Sequence, residues 1–149
     1  MSEIESPKDM DVFEKLMQDH RVTEQRFAEI ERTTDKETER QEWLFKELRA
    51  RLEAHEIFEE EVLYPEIEQF PTIKRLMGHA SEAHAEFDAI LQELSEMLAA
   101  RDEWMDGIRE LKDMIQEHVR MEDETMFPAA RAELAETRAE ELGRRIEVD

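Results

Sequence analysis

Two pairs of side chains in this chain have the types and the spacing that bind metal ions. His55 is followed four residues later by Glu59, and His118 is followed four residues later by Glu122. Residues four apart lie about 40° from each other around a helix, so each pair can present an imidazole and a carboxylate on one helix face. The spacing therefore predicts two helices that each direct a potential ligand pair to the same side.

The two His-x-x-x-Glu motifs belong to an internal repeat. Residues 55–65 lie over residues 118–128 without a gap, and the histidine, the glutamate and the final proline coincide. At an offset one residue longer, His20 lies over His84, and both stand in apolar stretches of helical spacing. We expect two copies of a helical hairpin, related by a pseudo-twofold axis, with a site built from both copies on that axis.

Metal binding is the chemistry that such a cluster favours. Burying glutamates and imidazoles in a core costs several kcal/mol each unless something compensates. A single histidine in a core is usually a satisfied core residue, but four at symmetric positions, two of them paired with carboxylates, favour a metal site. Imidazole and carboxylate together suit iron, manganese or zinc. The predicted ligands are His20, His55, Glu59, His84, His118 and Glu122.

Composition narrows the classes of function. The 149 residues include 20 basic and 41 acidic ones, for a net charge of −21, and no cysteine. This charge argues against nucleic acid and against anionic membranes as partners, because both need clustered Lys and Arg. The absence of cysteine excludes thiolate metal sites and iron–sulfur clusters. No apolar run approaches the roughly 18 residues of a membrane span, and residues 1–10 lack a signal-peptide pattern, so we expect a cytoplasmic protein.

Few turn-forming residues are present, only three glycines and four prolines, which favours helices over sheets. The apolar spacing predicts four long helices and a shorter last one. The first runs from Ser6-Pro7 to about Arg32, and the second runs from the Thr34/Glu37 capping box to Pro65, with Trp43 facing inward. The third runs from about Thr72 to Ala100, a turn follows at 101–107, the fourth ends at Pro128, and the last covers Pro128 to about Ile146. We expect a single all-α domain over residues 1–149. It is an up-down-up-down four-helix bundle over about 8–130 with an additional C-terminal helix in 131–149.

With its ligand motifs in this order, the sequence resembles the hemerythrin-like, HHE cation-binding family over about residues 8–130. The resemblance rests on the lone His20, the motif His55-x-x-x-Glu59, His84, and the motif His118-x-x-x-Glu122, each on its own predicted helix. It implies a four-helix bundle with a non-haem di-iron centre, that is, two Fe ions bridged by two carboxylates. Members of the family bind dioxygen, sense oxygen or iron, respond to nitric oxide or peroxide, or store iron.

The chain departs from the family's oxygen carriers at two positions. The carriers have a second histidine four residues before the one that matches His84, but that position here is Ala80. His79 lies five residues before and reaches the site only if the helix is locally overwound or bulged. The carriers also use an aspartate five residues after the last histidine, which here is Asp123. Helical phase and the repeat favour Glu122, and Asp123 stays the alternative.

Two other side chains are candidates for supporting roles. Glu24 falls one turn beyond His20 on the predicted inward stripe, where it could be an extra ligand or could accept the N–H of a ligating imidazole. Tyr64, the only tyrosine, is expected to be a core or rim residue.

The function that we expect is a non-haem di-iron protein that binds or reacts with O2, NO or peroxide at a buried His/carboxylate site. Because the chain has one histidine fewer than the carriers, we favour reaction with peroxide or NO, or iron handling, over reversible oxygenation. If the protein is an enzyme, we expect a peroxide- or NO-reactive oxidoreductase. The alternative is a regulatory or binding module stabilised by metal, with Zn or Mn in place of Fe, or an iron-storage or sensing protein without turnover.

Overall fold

The computed structural model describes residues 10–97, 99 and 102–146, and these form five helical rods. The first is α1 (Val12–Glu31). The second joins α2 (Thr38–Phe58) to α3 (Tyr64–Ile67) through a π turn, and the third is α4 (Pro71–Glu96). The fourth joins α5 (Asp102–Met121) to α6 (Phe127–Glu133) through another π turn, and α7 (Glu136–Arg144) is the fifth. The predicted all-α bundle with an additional C-terminal helix is confirmed.

The first helix begins later than predicted. Ser6-Pro7 lies outside the described residues, but Asp11 has an extended backbone and acts as the N-cap of α1, so a continuous helix from Pro7 is wrong. The Asp11 carboxylate accepts a hydrogen bond from the Glu14 amide at 2.9 Å, and the Glu14 carboxylate accepts one from the Asp11 amide at 3.1 Å. This reciprocal capping box satisfies two amides that a helix start would otherwise leave unpaired.

The capping box predicted at Thr34 and Glu37 is only half formed. The Glu37 carboxylate accepts a hydrogen bond from the Thr34 amide at 2.8 Å. The Glu37 amide, however, donates to the Thr34 carbonyl at 2.9 Å, which closes a turn in place of a cap. As a result α2 begins at Thr38 without a side-chain cap.

Each ligand-bearing hairpin contains one π turn at the same place in the repeat. The first covers Glu59–Leu63 and the second Glu122–Met126. A π turn holds one residue more than an α turn, so it moves the inward face by one position. After Glu59 the buried residues are Leu63, Tyr64 and Ile67, and after Glu122 they are Met126, Phe127 and Ala130.

The join between the third and fourth rods is shorter than predicted. The expected turn at 101–107 is wrong for Gly107, which lies inside α5. A Cβ atom there would stand 2.6 Å from Leu94 Cδ2, so this glycine allows α5 to approach α4 closely. The predicted end of the third helix at Ala100 falls outside the described residues, and α4 ends at Glu96.

Two apolar clusters fill the bundle on either side of the histidines. One cluster contains Phe13, Leu63 and Phe127, and the other contains Phe27, Leu91 and Trp104. The predicted inward position of Trp43 is wrong, since its side chain is 61% exposed. In the described part of the chain, no helix is long and apolar enough to cross a membrane.

The C-terminal helix is docked onto the start of the bundle. The Lys15 ammonium donates a hydrogen bond to the Gly143 carbonyl at 2.8 Å. A Cβ atom at Gly143 would meet the backbone of residues 10–12 at 2.8–2.9 Å. The absence of a side chain at Gly143 therefore lets α7 lie directly on the chain that leads into α1.

We predict that Gly143→Ala destabilises the protein by about 1–3 kcal/mol, because a backbone cannot yield to the added methyl as a side chain can. Gly78→Ala is the matched control. It lies in α4 with nothing within 4 Å of the added Cβ, so helix propensity should stabilise it by about 0.5–1 kcal/mol. Urea unfolding measures both, and equal effects of the two substitutions would contradict the close docking of α7.

Candidate metal centre

Glu59 lies at the middle of the cluster of predicted ligands and is fully buried. Its Oε2 is 3.2 Å from Nε2 of His55, one turn before it on the same rod. Its Oε1 is 3.1 Å from Nε2 of His84, on α4 in the other hairpin. One carboxylate thus reaches imidazoles of both hairpins.

Glu122 repeats this arrangement from the other side of the pseudo-twofold axis, and it too is fully buried. Its Oε2 is 3.5 Å from Nε2 of His118 on its own rod, and its Oε1 is 3.2 Å from Nε2 of His20 on α1. The imidazoles therefore form two pairs, which we name the His20/His55 half-site and the His84/His118 half-site. Each half-site receives one oxygen from each glutamate.

The ligand atoms are close enough to share cations. Those of His20, His55, Glu59 and Glu122 lie within 4.8 Å of one another, and so do those of Glu59, His84 and His118. Nitrogen and oxygen ligands stand about 2 Å from a transition-metal ion, so donors on opposite sides of one ion are about 4 Å apart. The chain brings its donors to this separation in both groups.

Unpartnered atoms show that a metal ion fits this donor set. Glu59 Oε2, Glu122 Oε1 and His118 Nε2 are buried and have no hydrogen-bond partner in the described part of the chain. Each of them lies within 3.5 Å of a neighbouring ligand atom. Leaving such atoms unpaired costs about 1–3 kcal/mol each. A cation between them would supply the missing interaction.

Three of the four imidazoles are held from behind by a carboxylate. The Nδ1–H groups donate as follows: His55 to Asp19 at 2.7 Å, His84 to Glu60 at 2.9 Å, and His20 to Asp123 at 3.0 Å. A proton on Nδ1 leaves the Nε2 lone pair directed to the centre, and the outer carboxylate makes the imidazole a stronger donor.

Two aromatic rings line the imidazoles at equivalent positions just after the π turns. Tyr64 stacks on His84 with ring centroids 5.8 Å apart, and Phe127 stacks on His20 at 6.0 Å. The Tyr64 hydroxyl lies 2.7 Å from Glu122 Oε2, to which it donates, and 3.2 Å from Glu59 Oε1. The tyrosine is therefore buried in the core and contacts both carboxylates.

The buried carboxylates favour protonated imidazoles. Burial acts to lower the pKa of His20, but its hydrogen bond with Asp123 and the nearby carboxylate of Glu122 outweigh burial and raise that pKa to about 9. The pKa of His84 is also raised to about 9 against the effect of burial, mainly by Glu59. The cluster thus attracts positive charge to the position of the imidazoles.

The same electrostatics act on the other groups of the centre. Burial acts to raise the pKa of Glu122, but the neighbouring imidazoles of His118 and His20 hold that pKa well below its ordinary value. Burial, together with the charges of Glu59 and Glu122, raises the pKa of Tyr64 above its ordinary value. Glu122 is therefore an anion and Tyr64 a neutral hydrogen-bond donor.

The structure does not bring every candidate ligand to the cluster. Glu24 is exposed, because the inward face of α1 continues from His20 through Thr23 and Phe27. His79 is exposed too, since α4 is a regular helix without the bulge that would turn this side chain inward. The structure brings neither to the cluster, and Asp123 lies behind His20 while Glu122 is at the centre.

Sequence reasoning missed two of the outer carboxylates, Asp19 and Glu60. The repeat contained the signal for Glu60, because it is the equivalent of Asp123, which had been singled out. Nothing in the sequence marks Asp19, whose contact with His55 depends on how α1 packs on α2.

Comparison with known proteins agrees with this geometry. The hemerythrin HHE cation binding domain family model matches residues 11–130, and the chain belongs to this family. A protein of Nostoc sp. (strain PCC 7120) named "DNA nickase" is 29% identical over 139 residues, which cover 90% of this chain and 37% of that protein. The chain thus spans little more than a third of the length of this relative. No solved structure gives a significant match.

We predict that the protein stripped of metal with a chelator loses stability as the pH rises. His20 and His84 have a pKa raised from 6.5 to about 9, so the stability they contribute is fully present below about pH 6.5 and is lost as the pH rises through 9. The melting temperature, followed by circular dichroism, should fall progressively over this range. The variant His79→Gln, which alters an exposed histidine, should show the same slope as the unchanged protein. A melting temperature that stays constant or rises between pH 6.5 and 9 would contradict the buried ion pairs.

Proposed function

We propose that this protein is a non-haem di-iron protein that holds one Fe ion in each half-site and binds or reacts with O2, NO or peroxide beside them. The observation that carries the proposal is the position of Glu59 and Glu122, each with one oxygen directed to each half-site. This is the arrangement that two cations bridged by two carboxylates need.

The charges support two divalent cations. Two such ions bring four positive charges to a region that holds five carboxylates, two central and three outer. The central ones are Glu59 and Glu122, and the outer ones are Asp19, Glu60 and Asp123. The two central carboxylates are fully buried, which is costly without compensation, and cations would provide that compensation.

The donor number supports iron. The His20/His55 half-site offers two imidazoles and one oxygen from each glutamate. The His84/His118 half-site offers two imidazoles and Glu59, and Glu122 Oε2 lies 3.5 Å from His118 Nε2. Sites of imidazole and carboxylate that leave positions open are typical of non-haem Fe(II). When bound, ferrous ions would supply the electrons for reaction with a small oxidant.

A small cavity of about 20 Å³ adjoins all four imidazoles. Since a water molecule needs about 10–15 Å³ measured in this way, the cavity has room for one small molecule. Four of the other six residues that line it are apolar: Leu52, Phe87, Ile115 and Val119. A diatomic molecule or hydrogen peroxide suits this volume, and larger reductants do not.

Two polar side chains in the same wall can act on a bound molecule. Thr23 is buried and carries a hydroxyl. Burial and a hydrogen bond with Asp88 raise the pKa of Glu56, the second polar residue, to about 8. The Thr23 hydroxyl can donate a hydrogen bond to a molecule in the cavity.

We predict that anaerobic loading with ferrous iron gives about two irons per chain, measured by elemental analysis after desalting. The loaded protein should develop ferric absorption bands when it meets air or peroxide, and iron-nitrosyl bands when it meets NO. Glu59→Gln and Glu122→Gln should each lose at least one iron, because an amide cannot bridge two cations as a carboxylate does.

Glu61→Gln is the matched control, since this residue lies in the same π turn as Glu59 but is exposed. It should retain both irons. Iron content near zero in the unchanged protein would refute the proposal. Firm retention of zinc without any spectral response to oxygen would instead support the alternative, a binding or regulatory module stabilised by metal.

The name of the Nostoc relative raises a further question, because a nickase acts on DNA. DNA binding draws on clustered Lys and Arg, and this chain has 41 acidic against 20 basic residues. We propose that it does not bind DNA. Neither the free nor the iron-loaded protein should retard or nick supercoiled plasmid in a gel at low salt. Nicking that Glu59→Gln abolishes would overturn this prediction.

A further inference from the structure

The two half-sites differ behind their imidazoles, although the repeat makes them equivalent in sequence position. In the first hairpin, His55 donates to Asp19 Oδ2 at 2.7 Å, and Arg51 Nε lies 3.4 Å from Asp19 Oδ1. An imidazole, a carboxylate and a guanidinium thus form a chain from the centre towards the surface. The basic residue helps to fix the carboxylate that fixes His55.

The second hairpin has apolar residues at both equivalent positions. Asp19 directly precedes His20, and the residue that directly precedes His84 is Ala83. Arg51 lies four residues before His55, and Met114 lies four residues before His118. Among the described residues, nothing accepts a hydrogen bond from Nδ1 of His118. Its ring therefore lacks the outer support that the other three imidazoles have.

The central carboxylates show the same inequality. The Tyr64 hydroxyl contacts Glu122 Oε2 and Glu59 Oε1, the two oxygens directed to the His84/His118 half-site. The equivalent residue is Phe127, which has no hydroxyl. Glu59 Oε2 and Glu122 Oε1, directed to the His20/His55 half-site, are buried with no hydrogen-bond partner. A hydrogen bond withdraws electron density from an oxygen, so the free oxygens are the stronger donors.

We propose that the two half-sites bind their cations with unequal affinity: the His20/His55 half-site fills first, and Asp19 is the positioning residue that sets the order. This inference rests on the proposed function, because it requires two cations. An outer carboxylate orients an imidazole and raises its basicity, and its removal typically costs 10- to 100-fold in metal affinity. The His20/His55 half-site has two such carboxylates and the other half-site has one.

Zinc is the probe for the test, since it is stable in air and needs no redox control. Calorimetric titration of the full, metal-free chain with Zn²⁺, against a competing chelator, should show two steps that differ by about tenfold or more. Repulsion between the two ions would separate the steps even in a symmetric centre. The order must therefore be assigned by variants and by histidine side-chain NMR.

With one equivalent of zinc, the ring nitrogens of His20 and His55 should shift before those of His84 and His118. Asp19→Ala should weaken the first step by about 10- to 100-fold and bring the two steps together. Glu60→Ala is the matched control, because it removes the outer carboxylate of His84. It should weaken the second step alone and widen the interval between the steps.

Ala83→Asp should strengthen the second step, since the repeat places this residue behind His118 as Asp19 lies behind His55. Circular dichroism checks that each variant is folded. If Ala83→Asp does not fold, the variants Asp19→Ala and Glu60→Ala still test the order in which the half-sites fill. No zinc binding by the unchanged chain would refute the proposed metal centre itself. Two bound zincs that fill both half-sites together, or a weakened second step in Asp19→Ala, would refute only the inequality.

Discussion

The structure depends on the burial of two carboxylates, Glu59 and Glu122, in the middle of a helical bundle. Neither side chain has any exposed surface, and a carboxylate in such a place is stable only if positive charge or hydrogen-bond donors surround it. Imidazoles from four helices surround the two carboxylates, and the Tyr64 hydroxyl donates a hydrogen bond. Metal ions between these groups would provide the positive charge. The two apolar clusters end at this layer of polar groups, so the same residues that build the centre also divide the core.

Duplication gives the centre its symmetry, and the surroundings of the imidazoles remove part of it. Both hairpins have the His-x-x-x-Glu motif, the π turn and a stacked aromatic ring. They differ at two pairs of equivalent positions around the ligands: Asp19 corresponds to Ala83, and Tyr64 corresponds to Phe127. Two cations bound in such a centre would have the same types of ligand but different electrostatic environments.

Much of the centre could be predicted from the sequence, because the rule that residues four apart share a helix face is local. That rule and the repeat place His55, Glu59, His118 and Glu122 on facing helices without knowledge of the tertiary structure. The bundle followed from the apolar spacing and the scarcity of turn residues. The position of His79 could not be predicted from the sequence, because it depends on whether α4 is a regular helix.

The remaining features depend on contacts between distant parts of the chain. The contact of Asp19 with His55 joins α1 to α2, and no local pattern encodes it. Gly107 is a turn residue by local pattern, but in the structure it lies inside α5 and allows that helix to approach Leu94. The start of α1 was misplaced because Ser6-Pro7 and Asp11 are both good local signals, and Asp11 has the reciprocal contact with Glu14. The apolar spacing predicts an inward Trp43, yet its side chain is exposed, because spacing alone does not show where the buried face of a helix ends.

The π turns have a consequence for attempts to transplant this centre into a designed protein. An ideal straight helix has one phase along its whole length, so it can direct a glutamate inward or place an aromatic ring five residues later over the neighbouring imidazole, but not both. The extra residue at 59–63 and at 122–126 resolves this conflict in each rod. A designer who keeps only idealised backbones would reproduce the ligands and lose the ring that covers them, and would have to build the irregularity in deliberately.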